Sequence, residues 1–137
     1  MIVGYTTGVF DLFHVGHLNV LRAAHALCNR LIVGVSTDEL AMEYKKKKPF
    51  IPFAERIEIV RAIKYVDLAV SREIYDKYEE WKRLRFNILF VGDDWYEKEN
   101  WKHYEAELAR EGVKVIYLPH TPGTSSTELK KKLGGAE

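Results

Sequence analysis

The sequence predicts an α/β domain: one five-stranded parallel sheet with helices on both faces, all within a single domain spanning residues 1–137. Three observations predict it. Short apolar runs alternate with stretches of helical periodicity from one end of the chain to the other. The runs at 31–35 (LIVGV) and 88–92 (ILFVG) are continuously apolar, as strands covered on both faces must be. A length of 137 residues is one domain's worth and sustains a core without disulfide or metal staples.

The elements follow in order. Residues 2–5 read as a first strand. Residues 16–28 place Leu18, Leu21, Ala24 and Leu27 or Cys28 at helical spacing. The strand at 31–35 comes next, then STDEL (36–40) and KKKKPFIP (45–52), both read as loop, the second for its two prolines. Residues 54–64 put Ile57, Val60 and Ile63 on one helical face, and 66–70 (VDLAV) form a third strand. A charged, aromatic helix covers 74–85, a fourth strand 88–92 and a helix 101–111, which Gly112 ends. A fifth strand at 113–118 leads to a loop, a last helix at 126–133 and a flexible tail at 134–137.

Charge and composition exclude several classes. A formal net charge of +1 gives no nucleic-acid coat and no membrane-surface binder, so any basic patch is local. Apolar residues at 47% and charged residues at 30% describe a globular chain, not a disordered one. The single cysteine, Cys28, cannot form an internal disulfide and reads as a small buried hydrophobe. With no signal-peptide pattern and no apolar run near the ~20 residues of a membrane span, we expect a cytoplasmic protein.

In a parallel sheet, ligands sit beyond the carboxyl ends of the strands, at the point where strand order reverses. The segments TTGVFDLFHVGH, STDEL, GDDW and PHTPGTSST each follow such an end, so they are expected to converge on one cleft. In HVGH, His14 and His17 stand three apart at a strand-to-helix junction around Gly16. A glycine lets a phosphate approach the backbone, and the helix start offers unpaired N–H groups and a positive dipole end. The imidazoles can donate to phosphoryl oxygens as charge builds. The competing zinc reading has Asp11 as a third ligand, an incomplete shell. Ser125 and Glu128 fit a capping box, and the hydroxyl-rich loop before them can cradle phosphate, with His120 as an added cation. The lysine run at 45–48 reads either as a solvated loop or as a clamp on a triphosphate or a phosphorylated acceptor. GDDW offers carboxylates and an indole to a base, a ribose or Mg2+. No GxxxxGK[ST] and no GxGxxG occurs, which removes the P-loop and dinucleotide-binding folds.

GVFDLFHVGH resembles the HxGH signature of the Rossmann-like nucleotidyltransferases. With STDE, ERIEIVRAIKYVD, VGDDW and YLPHTPGTSST in the same order and spacing, the chain is most similar to the small cytidylyltransferases acting on glycerol 3-phosphate. The resemblance covers residues 2–133. It implies that CTP and a small alcohol phosphate give a CDP-alcohol and pyrophosphate, with Mg2+. It implies His14, His17, Asp11 and Lys47 as catalytic groups, His17 lying at the transferring centre. Gly8, Val9, Phe10 and Gly16 would line the nucleotide, with Asp94 and Trp95 near the nucleoside. His120, Thr121, Gly123, Thr124, Ser125 and Ser126 would hold the triphosphate. Lys45 and Lys77 would serve the acceptor, and a homodimer is expected.

Four departures bear on the acceptor more than on the reaction. His120 replaces an arginine, exchanging a permanent fork for a group that titrates near neutrality. Val9 replaces a threonine, Lys64 an arginine, and Tyr78 a lysine next to Lys77. Two other readings share the motif: an adenylyltransferase acting on a sugar phosphate, FMN or pantetheine phosphate, and a non-catalytic nucleotide-binding protein.

Overall fold

In the computed structural model, which describes residues 1–92 and 98–119, five parallel strands form one sheet in the order β3-β2-β1-β4-β5. The strands are β1 (Val3–Gly8), β2 (Arg30–Ser36), β3 (Leu68–Arg72), β4 (Ile88–Val91) and β5 (Lys114–Tyr117). The helices are α1 (Val15–His25), α2 (Asp38–Lys45), α3 (Phe53–Arg61), α4 (Lys77–Leu84) and α5 (Lys98–Ala109). Side chains of 98–102 are outside the description, as are Asp94, Trp95, the loop at 120–126, the expected last helix and the tail.

Alternation along the strands sorts the core into two layers. Leu31, Val33 and Val35 of β2 and Phe90 of β4 pack against Val20, Leu21 and Ala24 of α1 and Ile57 and Val60 of α3. On the opposite face Tyr5, Ile32, Leu89 and Val91 meet Tyr78, Trp81 and Leu84 of α4 and Leu108 of α5. Each fully buried aliphatic side chain contributes about 1.5–3 kcal/mol, so two such layers hold a sheet with both faces covered.

The chain lays β1, β2 and β3 outward in one direction, then crosses back to place β4 on the free side of β1. The reversal therefore lies between β1 and β4, and the segments leaving their carboxyl ends flank it. The β1 exit carries both histidines.

Three expectations are corrected. STDEL is not a loop: Thr37 accepts from the Leu40 amide at 3.1 Å and caps α2, whose Leu40 and Ala41 are buried. The lysine run is not all loop either. Lys45 ends α2, and Lys46 takes a left-handed turn at φ 62°. β1 also runs to Gly8 rather than ending at residue 5, because Thr6, Thr7 and Gly8 pair with Val33, Gly34 and Val35.

A buried polar group sits between β1 and α4. The Tyr5 hydroxyl donates to Glu80, and both residues are fully inaccessible. Gly34 leaves space for that hydroxyl, because a Cβ there would overlap it. Burial and the adjacent Glu80 carboxylate hold the Tyr5 hydroxyl well above the usual phenol range, so it remains a donor.

Candidate active site

The HxxH spacing has a structural cause. His14 is the N-cap of α1 and His17 is its third residue, so the pair forms a capping box with imidazoles where hydroxyl and carboxylate usually stand. The Gly16 amide donates to His14 Nδ1 at 3.0 Å, and the His14 amide donates to His17 Nδ1 at 3.1 Å. Each Nδ1 therefore acts as an acceptor and carries no hydrogen, which leaves the neutral tautomer with N–H at Nε2. The rings stack with centroids 4.0 Å apart. Phe13 and Phe10 lie 5.2 and 5.4 Å from the His17 ring. Two fixed Nε2 donors thus stand at the positive end of a helix with no acidic residue in its first turn.

The loop that presents them is wound tightly. Phe10 and Leu12 adopt left-handed backbone, φ 56° and 50°, a conformation costly for bulky residues, at about 1–2 kcal/mol each. The Phe10 ring folds back over Gly8, where an added Cβ would come within 3.0 Å of it. A side chain at Gly8 would press on that ring and force it to shift. Val9 and Phe10, expected at the nucleotide, are 8% and 6% exposed.

Two buried ionic groups hold this loop to the segment after α2. Asp11 is 3% exposed, and its two carboxylate oxygens accept from the Phe50 and Ile51 amides at 2.8 and 2.9 Å. A carboxylate so engaged is a brace between the histidine loop and the end of the lysine segment. Asp11, expected among the catalytic groups, is thus buried beside the histidine loop. Arg56 was not singled out in the sequence. Its guanidinium donates to Val9 O at 2.7 Å, Ser36 O at 2.8 Å and Ile51 O at 2.7 Å, and pairs with Asp38 at 2.5 Å. One side chain thus joins the exits of β1 and β2, the start of α2 and the far end of the lysine segment. The Arg56→Asp38 spacing crosses two elements, so no local pattern reveals it; the signal available was a lone arginine on the apolar face of a helix with Ile57 and Val60.

Lys45 and Lys47 are exposed on the segment that these braces anchor. Lys77, expected to reach the acceptor, is 1% exposed, with Nζ 3.7 Å from Glu80 and over the Tyr75 ring at 5.2 Å.

The Asp11 brace is testable. In Asp11→Ala the loss of two charge-assisted bonds is expected to lower stability by about 3 kcal/mol. Native-state hydrogen exchange should show the Phe50 and Ile51 amides losing protection ahead of the sheet. Unchanged protection at those two amides would contradict the brace.

Residues 5–132 match the cytidylyltransferase-like family. The glycerol-3-phosphate cytidylyltransferase of Bacillus subtilis (strain 168) is 32% identical over 131 residues, 95% of either chain. The FAD synthase of Methanothrix thermoacetophila is 38% identical over 107 residues, 78% of this chain and 72% of that one. Among solved structures, the lipopolysaccharide core biosynthesis protein of Thermoplasma volcanium GSS1 superposes with a TM-score of 0.78 at 26% identity, over 88% of this chain and 98% of that one.

Proposed function

Since this chain belongs to the cytidylyltransferase-like family, we propose that it transfers CMP from CTP to a small alcohol phosphate, glycerol 3-phosphate foremost. Membership makes it a nucleotidyltransferase. An oxygen of the acceptor phosphate attacks the α-phosphorus of CTP. The bond from that phosphorus to the α,β-bridging oxygen breaks, and pyrophosphate leaves. The nucleophile is already anionic, so no general base is needed and catalysis reduces to positioning and charge stabilisation.

The observation that carries this reading is the imidazole capping box. His14 and His17 aim fixed, neutral Nε2–H donors from a helix N-terminus, where charge develops on the phosphoryl oxygens. Gly16 keeps the approach clear, and Lys45 and Lys47 supply movable cations on a braced segment. Asp94, Trp95 and the residues from His120 to Ser126 are assigned to nucleoside and triphosphate by resemblance alone. Mg2+ binds through one or two carboxylates together with substrate phosphates. Among the described residues no group of three His, Cys, Asp or Glu side chains is assembled for a metal. Mg2+ is proposed to arrive on the triphosphate. A homodimer in the cytoplasm is proposed on the same resemblance; among the described residues no helix is long and apolar enough to cross a membrane.

The similarity to an FAD synthase keeps ATP as the second reading. The test is pyrophosphate release with Mg2+ and glycerol 3-phosphate, CTP against ATP. We expect turnover with CTP and at least about tenfold less with ATP. Faster release with ATP, and FMN as the better acceptor, would replace the first reading by the second.

A further inference from the structure

The amide of His14 holds His17 at one atom, but one hydrogen bond does not fix the plane of a ring. The torsion that turns a histidine ring is broad and roughly two-fold. A half-turn about it would put a carbon where Nδ1 now accepts and would swing Nε2 away from its present direction. The rings packed around His17 decide between these orientations. His14 stacks on it with centroids 4.0 Å apart and planes 26° apart. Phe13 lies 5.2 Å away at 34°, and Phe10 lies 5.4 Å away at 58°. His14 and Phe13 are half-buried. Phe10 alone of the three is buried, in the core layer that also holds Val20, Leu21 and Ala24 of α1, the helix that carries His17.

We propose that Phe10 is a positioning residue for nucleotidyl transfer: its buried ring is the fixed wall that sets the plane of the His17 imidazole, and with it the direction of the Nε2–H. This rests on reading the chain as a nucleotidyltransferase whose His17 meets the transferring phosphoryl group. Two observations besides the ring distance support it. Phe10 takes left-handed backbone at φ 56°, a conformation unfavourable for a residue with a bulky side chain. Its ring lies over Gly8, where a Cβ would come 3.0 Å from Cε2 and 3.1 Å from Cζ, so the absence of that Cβ leaves the ring its place. A strained conformation persists only where the surroundings hold it, and such positions cluster at functional sites. Phe10 acts through His17 and supplies no group to the reaction itself.

The experiment uses Phe10→Leu, which keeps an apolar side chain but ends short of the ring's Cε and Cζ atoms. Turnover is measured with CTP, Mg2+ and glycerol 3-phosphate. The ring-nitrogen resonances of His17 are recorded without nucleotide at about pH 8, above the ordinary histidine range. Wild type is expected to show one bare acceptor nitrogen and one N–H, with well-separated resonances. In Phe10→Leu the two should move toward each other, because loss of the Nδ1 bond lets the proton sample both nitrogens. There kcat should fall by about ten- to a hundredfold, with the KM for CTP changed by less than about twofold. A residue that only fills the core would lower the melting temperature and leave both kcat and the resonances as they are. If Phe10→Leu does not fold, Gly8→Ala keeps the ring but displaces it, and its nucleotide-free spectrum should show the same convergence. A folded Phe10→Leu with kcat within about twofold of wild type, or a folded variant of either kind whose two ring nitrogens stay distinct, overturns the inference and leaves the transferase reading standing. Wild type that releases no pyrophosphate from CTP or ATP overturns that reading and the inference with it.

Discussion

His17→Ala is expected to lower kcat for pyrophosphate release by about 10²–10³-fold, the effect of removing one positioned donor from a charge-developing centre. The same change removes half of a helix cap, so stability should fall too, by about 1 kcal/mol, or a few degrees of melting temperature. The two losses can be separated. Glutamine at the third helical position accepts from the cap residue's amide as glutamate does in an ordinary capping box. His17→Gln should therefore regain the melting temperature but not the rate. The stacked arrangement of the two rings predicts a further result. His14→Ala combined with His17→Ala should cost less than the product of the single effects, because each ring fixes the other. Turnover of His17→Ala within tenfold of wild type, in a folded protein, would remove the proposed role.

Arg56→Met should produce the largest loss of stability. The arginine side chain has no solvent exposure and serves three carbonyls and one carboxylate. Removing one partner of a buried ion pair costs about 3–5 kcal/mol, against about 5–15 kcal/mol for a whole domain. Asp38 is one-third exposed, and water entering beside it would keep the loss at the lower end of that range. Urea titration should show the midpoint falling with little change in slope. Because Val9 and Ile51 lose their common tie, the acceptor KM should rise in whatever fraction remains folded. Arg56→Lys retains the charge but not a planar fork that spans four acceptors, so it should recover part of the stability and little of the KM. A midpoint shift equivalent to under about 1 kcal/mol would mean that the guanidinium is replaceable.

The parts of the fold that were legible share a cause. Strand and helix signals are local: a run of branched aliphatics, or apolar residues three and four apart, can be read within one element. The five strands and four of the five described helices were found this way, with ends displaced by a few residues. α2 was missed because it is short and polar, with two buried residues, although Thr37 followed by Asp38 and Glu39 is a fair start signal. β1 was cut short because Thr6 and Thr7 look like loop until β2 supplies their partners. In the site, the histidine pair is visible in the sequence, with phosphate as the leading reading of its spacing and zinc as the competing one. The same spacing also closes the helix cap, which is compatible with the phosphate reading, since capping at Nδ1 is what leaves Nε2 to donate.

Sequence by itself determined the layer architecture, the loop that leaves β1 and the imidazole pair on it, because each is written in residues close together along the chain. Tertiary structure alone decided which charged residues belong inside. Arg56 meets Val9 across 47 positions, Tyr5 meets Glu80 across 75, and Asp11 meets Phe50 across 39. A charge is tolerated in the interior only when its partners arrive with it. Which partners arrive is fixed by strand order and register, and local periodicity carries no record of either.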